Sequence, residues 1–541
     1  MGKNDGVRVW GRMVGAMFLA GSLTLSPQVR HTPAQPTAAP PASFTTVSTF
    51  QIQEATLADL QAQMASGHLT SRALVQQYLD RIERYDKQGP KINAILELNP
   101  EALAIADQLD QERRAGQLRG PLHGIPILLK GNIATHDQMT TTAGSAALAG
   151  SVPKQDAFLV TRLRAAGAVI LGKANLTEFA NFMAYDMPSG YSALGGQTLN
   201  PYRPMLNKKG QPILSPCGSS AGSGAATAAN LTAVAIGTET SGSILCPADA
   251  NSLVGIKTTV GLVSRSGIIP IAASQDVAGP MTRTVADAAA LLNVLAGYDP
   301  TDPVTAQSKD KIPADYRLFL KPDGLQGVRI GIPRGFYKLD REQKVLFDRA
   351  IATLKRQGAT IIDPAVLTTA KKLLASDLTV LTYEFKRDLN TYLATLGPTA
   401  PVRTLAEVIR FNRTHPEQAL KYGQQLLIDA DKRRLQKGTE ISEARYHRAR
   451  ASELRLAKTE GVDATMDRYQ LDALLFPMDY GSFIGAIAGY PTVIVPAGYT
   501  SKGTPMGLSF LGKAFQEPRL IQYAYAYEQA SQLRRPPAAT P

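Results

Sequence analysis

The chain is 541 residues long, with 44% hydrophobic and 19% charged residues, an ordinary globular composition with ample material for one large α/β domain. Its formal charge of +13 raises nucleic acid or anionic lipid as partners. However, the basic residues are scattered singly, and the densest cluster, Lys432, Arg433, Arg434 and Lys437, reads as a solvated helix face without interleaved aromatics, so no nucleic-acid partner is expected. Two cysteines cannot build a disulfide framework, and six dispersed histidines with no Cys-x-x-Cys or His-Glu-x-x-His give no metal site.

In chain order, Lys3, Arg8 and Arg12 precede an apolar stretch from Met13 to Leu25, the layout of a secretory signal over residues 1–26, with a retained N-terminal anchor as the rival reading. Export to the periplasm or the medium is therefore expected, with no membrane contact for the mature domain. Residues 27–47 are rich in Pro, Ala and Thr and read as a disordered spacer. From Thr70 the spacing of Leu74, Val75, Tyr78, Leu79, Ile82 and Tyr85 predicts a helix stopped by Gly89-Pro90.

Short apolar runs then alternate with helical patterns. The runs are 124–129, 168–171, 232–236, 328–332, 473–476 and 492–495; the helices are 158–166, 285–295, 342–357 and 519–530. This alternation predicts an α/β fold: a large mixed sheet flanked by helices on both faces, in a single domain over 48–535. Residues 371–466 carry more charged amphipathic helix and read as an insertion covering the sheet or the cleft, and residues 536–541 read as a disordered tail.

Chemistry concentrates in three places. Lys130 ends the apolar run Gly124 to Leu129; Ser219 and Ser220 stand in Pro216-Cys217-Gly218-Ser219-Ser220-Ala221-Gly222; and Ser243 follows Thr240-Ser241-Gly242. Taken singly, each has a bland reading, as a snorkelling surface lysine or as small residues for close helix packing. A rival reading takes Gly218-Ser219-Ser220-Ala221-Gly222 as a nucleophile elbow, with Ser220 attacking and His415 or His447 as base. Ser151-Val152-Pro153-Lys154 also fits Ser-x-x-Lys, but Pro153 and its polar setting place it on the surface. Cys217 and Cys246 could bridge if their backbones lie close; two buried free thiols are the plainer expectation.

The ordered set of motifs resembles the amidase signature family. The residues that carry this resemblance are Gly124-Ile125-Pro126-x3-Lys130, the stretch from Asp156-Ala157 to Glu178-Phe179, Cys217-Gly218-Ser219-Ser220, Gly237-Thr238-Glu239-Thr240-x-Gly242-Ser243-Ile244, and Asp276-Val277-Ala278-Gly279-Pro280-Met281. Within the family, the Cys-containing blocks and Tyr523 to Gln529 are most similar to bacterial peptide amidases. The resemblance implies a Ser–Ser–Lys hydrolase: Ser243 as nucleophile, Ser219 on a cis peptide bond as bridge, Lys130 as base and Ser220 in support. Backbone N–H groups of Thr240, Ser241, Gly242 and Ser243 are expected to face the oxyanion.

A lysine near its ordinary pKa of ~10.4 is neutral only about once in several thousand at pH 7, so burial must disfavour its charged form by about 4 kcal/mol. The implied substrate is a small amide or short peptide amide, handled by a monomer without cofactor. Three positions depart from the family pattern: Gly131 where Asp is common, Ser241 where Gly is common and Leu245 where Arg is common. Met478-Asp479-Tyr480-Gly481 also leads into a shorter link than peptide amidases carry.

Overall fold

The computed structural model describes residues 50–397 and 400–541, so the expected signal and spacer lie outside the described residues. Among the described residues there are thirteen strands: β1 (Ile95–Leu98), β2 (Pro126–Lys130), β3 (Val169–Ala174), β4 (Tyr191–Ser192), β5 (Gly196–Gln197), β6 (Val234–Glu239), β7 (Val254–Lys257), β8 (Val277–Thr282), β9 (Arg329–Gly331), β10 (Thr360–Ile362), β11 (Ala473–Pro477), β12 (Thr492–Tyr499) and β13 (Pro505–Leu511). Eleven form one sheet in the order β1-β3-β2-β6-β8-β7-β12-β13-β11-β9-β10. It is mixed: β3, β2 and β6 run parallel, whereas β8, β7, β12 and β13 form an antiparallel middle.

The α/β expectation holds, and the local reasons are those legible in the residues. Thr70 caps the helix Ser71–Arg81 by accepting from Ala73 N–H, and Leu74, Val75 and Tyr78 form its buried face. Every residue of β2, β3 and β6 is buried, which is why these strands read as continuous apolar runs rather than alternating ones. Helix Val285–Leu295 has the predicted bounds, and Thr284 caps it.

Several strands escaped prediction. β8 carries Gly279 and Pro280 inside a central strand, where proline is ordinarily excluded, and β13 begins on a proline and contains Gly507. Their pairing with β6, β7 and β12 overrides the local signal. The described residues of 371–466 are mostly helical, as expected. Phe385, Leu389 and Leu393 of helix Thr379–Thr395 share a core cluster with Phe179, Phe182 and Met183, which lays this layer over the segment that follows β3. Residues 536–541 differ from the expected disordered tail. Thr540 is buried, Arg81 donates to the carbonyls of Thr540 and Pro541, and the Tyr85 hydroxyl donates to Pro541. Among the described residues no helix is long and apolar enough to cross a membrane.

Candidate active site

Parallel strands that end side by side open a crevice at their carboxyl ends, and β2 and β6 do so here. Lys130 is the last residue of β2 and is wholly buried; its Nζ lies 2.8 Å from Ser219 Oγ and donates to the Thr238 carbonyl at 2.9 Å. Burial brings the Lys130 pKa down to about 7, against the opposing pull of Glu239 and Asp276. Those two carboxylates supply the negative charge that Gly131 does not. A Cβ at 131 would stand 3.0 to 3.1 Å from Leu96, Ala174 and Leu176, so the position is already crowded.

Ser219 follows a cis peptide bond from Gly218. Only glycine fits before it, because a Cβ at 218 would come within 2.4 Å of Thr177 Oγ1. The Ser219 carbonyl accepts from Thr177 N–H at 3.0 Å. Ser220 fastens the two serine segments together: its N–H donates to the Ser243 carbonyl at 3.1 Å, and its hydroxyl donates to the Thr238 carbonyl at 3.1 Å. Lys130, Ser219, Ser220 and Ser243 are thus gathered at one place, with Ser243 itself 7% exposed.

The turn carrying Ser243 is held from inside by Glu239, the last residue of β6. Its carboxylate accepts from the N–H groups of Gly242 (2.8 Å), Ile244 (2.7 Å) and Leu245 (3.0 Å). Burial pushes the Glu239 pKa up, while these amides and the Lys257 charge resist. The consequence corrects one expectation. Gly242, in the left-handed region with φ of +80°, gives its N–H to Glu239 and not to an oxyanion. The N–H groups of Thr240, Ser241 and Ser243 make no hydrogen bond among the described residues and are the donors left for that role. Sequence reasoning assigned Glu239 no part, although its place four residues before Ser243 was the available signal.

Cys217 and Cys246 are joined in a disulfide with Cα atoms 5.8 Å apart, which corrects the expectation of free thiols. The hydrogen bond from Ser220 to Ser243 draws their flanking segments together, and a separation of 29 residues gives no hint of that. Leu245, where the family commonly has arginine, is wholly buried against Ala228, Ala248, Met281 and Ile494.

The rival constellations are not assembled. His415, between two helices, and His447, on the helix Glu443–Leu454, are exposed, His415 stacked on Phe411 and His447 3.6 Å from Glu443. Ser151 is buried while Lys154 is exposed. Beside the serine turn lies a cavity of about 550 Å³, lined by Asn132, Thr240 and Asp276 on the strand side, Ile268 and Ile271 on one wall, and Tyr392 and Leu396 from the helical layer.

The family model described as Amidase matches residues 73–521. The chain belongs to the amidase family. As such it is a hydrolase acting on amide C–N bonds. A probable amidase from Arabidopsis thaliana is 42% identical over 508 residues, covering 91% of this chain and 92% of that protein. The native peptide amidase of Stenotrophomonas maltophilia superposes with a TM-score of 0.83 at 49% identity, covering 90% of this amidase and 99% of that chain. A glutamyl-tRNA(Gln) amidotransferase component from Myxococcus xanthus is 35% identical, covering 89% of this amidase and 98% of the relative.

Proposed function

We propose that this amidase hydrolyses carboxamides, peptide C-terminal amides among them, to carboxylate and ammonia through an acyl-enzyme on Ser243. The observation that carries the reading is the contact between a fully buried Lys130 and Ser219 Oγ at 2.8 Å, beside the turn that bears Ser243. In its neutral form Lys130 keeps its donor bond to Thr238 and accepts the Ser219 proton. Ser219 in turn accepts the proton of Ser243, whose oxygen adds to the amide carbon. The oxyanion meets the N–H groups of Thr240, Ser241 and Ser243. The relay then runs back to protonate the leaving nitrogen, ammonia departs, and water cleaves the ester by the same route.

Likeness to peptide amidase supports the peptide-amide substrate, and the basic then apolar N-terminus supports export. The test is ammonia release across a panel running from acetamide to blocked dipeptide amides, together with labelling by a serine-directed phosphonate. Ammonia release and an adduct on Ser243 are expected, and Ser243→Ala abolishes both. Labelling of Ser220 instead would overturn the assignment. No ammonia and no label would favour a non-catalytic role or one within an amidotransferase, as the likeness to the Myxococcus xanthus protein allows.

A further inference from the structure

Antiparallel pairing of β6 with β8 sets Glu239 opposite Val277. Thr240, just after β6, and Asp276, just before β8, leave the sheet at the same end of this strand pair and come out facing one another. The Thr240 hydroxyl donates to Asp276 Oδ1 at 2.5 Å, and the other carboxylate oxygen accepts from Ile271 N–H and Ala272 N–H, each at 2.9 Å. Asp276 therefore ties the first residue of the serine turn to the loop that walls the cavity. Thr240 is 7% exposed and its side chain is anchored here, while its N–H has no hydrogen-bond partner among the described residues.

Glu239 holds the far half of the turn through the N–H groups of Gly242, Ile244 and Leu245. The near half, at Thr240, is held by the Asp276 bond. We propose that Asp276 is a positioning residue for the hydrolytic turn: through the Thr240 hydroxyl it fixes the direction of the oxyanion donors at Thr240 and Ser241. This rests on the reading of Ser243 as nucleophile but adds a role that the Ser–Ser–Lys set does not contain. The ionised side chain, which prevails above about pH 7 because burial raises the Asp276 pKa to about 7, is suited to it, since it accepts three hydrogen bonds at once, whereas an amide of equal size offers one acceptor oxygen and must turn its NH2 toward either Thr240 or the loop.

The experiment compares Asp276→Asn, Thr240→Val and Thr240→Ser in the full chain, by two independent readouts. The first is hydrogen exchange of the 240–245 segment, which needs no substrate. Exchange is expected to rise at least tenfold in Asp276→Asn and Thr240→Val, and Thr240→Ser is expected to recover most of the difference. The second is kcat per phosphonate-titrated site on a blocked dipeptide amide, expected to fall about tenfold to a hundredfold in the first two variants with KM changed far less, since a small misplacement of a transition-state donor costs rate rather than binding. Unchanged exchange, or equal behaviour of the Ser and Val variants, overturns the tether. A wild-type enzyme that releases no ammonia overturns the amidase mechanism but leaves the exchange result to decide the role of Asp276 by itself. A fall in melting temperature with wild-type kcat per titrated site would reduce Asp276 to a purely structural residue and overturn the proposal.

Discussion

Two lysines end up side by side in this sheet, and they differ in what they touch rather than in how deeply they lie. Lys130 closes β2, and Lys173 sits on β3 opposite Leu129. Both are wholly buried, and burial brings both down to a pKa of about 7. Lys173 donates to the Ile133 carbonyl at 2.6 Å and to Thr141 Oγ1 at 2.9 Å, which pins the 133–141 loop to the strand. Lys130 meets the hydroxyl of Ser219, which neighbours Ser220 and, through it, the Ser243 turn. A lowered pKa records loss of water. On the proposed mechanism, what makes a base of one lysine and a staple of the other is the group at the end of its hydrogen bond.

The sharpest way to break this comparison is Lys130→Arg, which retains charge and cannot lose it. A fall in kcat of about 10³-fold or more is expected, within the range for loss of a general base and its relay, with a cooperative melt retained. Lys173→Met should show the reverse pattern. Its two orphaned acceptors cost about 1–3 kcal/mol each, read as a lower melting temperature, while kcat per titrated site changes less than about threefold. Equal losses of kcat in the two variants would end the distinction.

The pH profile sharpens it further. On the proposed mechanism the neutral amine is the active form, so kcat/KM should rise with pH and level off above a midpoint near 7, dropping at least about tenfold per pH unit on the acid side, where Asp276, raised to about 7 by burial, protonates as well. Glu239 and Asp276 are the acidic groups bearing on Lys130, and Glu239→Gln should therefore move the limb to lower pH, because it removes a charge that favours the ammonium. A midpoint near 10 would mean that the lysine is solvated during turnover. A modest effect on rate should come from Cys217→Ala with Cys246→Ala. Opening a link across 29 residues costs about 3.6 kcal/mol of stability, yet the Ser220 to Ser243 bond still joins the two segments, so kcat should fall less than about tenfold.

Much of the site was legible because each piece carries a local signature. The apolar run before Lys130 foretells its dry setting, and the small residues around Ser219 foretell a close backbone approach. The turn that bears Ser243 was legible only as a segment. Which of its four N–H groups remains available depends on where the Glu239 carboxylate points, and spacing does not encode that. The disulfide and the Thr240 to Asp276 bond are likewise pairings between distant segments, visible only after β6, β8 and the serine loops are set against each other.

The same division runs through the fold. Helices such as Ser71–Arg81 and Val285–Leu295, and the parallel strands β2, β3 and β6, follow from the sequence because their signals are periodicity, caps and uninterrupted apolar runs, all properties of neighbouring residues. Strands β8 and β13, with their glycines and prolines, exist because the sheet on either side supplies hydrogen bonds that no local preference predicts. Sequence alone determined which groups could do the chemistry. Tertiary structure decided which of them meet, because burial and hydrogen-bond partners are properties of the assembled sheet and not of any one stretch of chain.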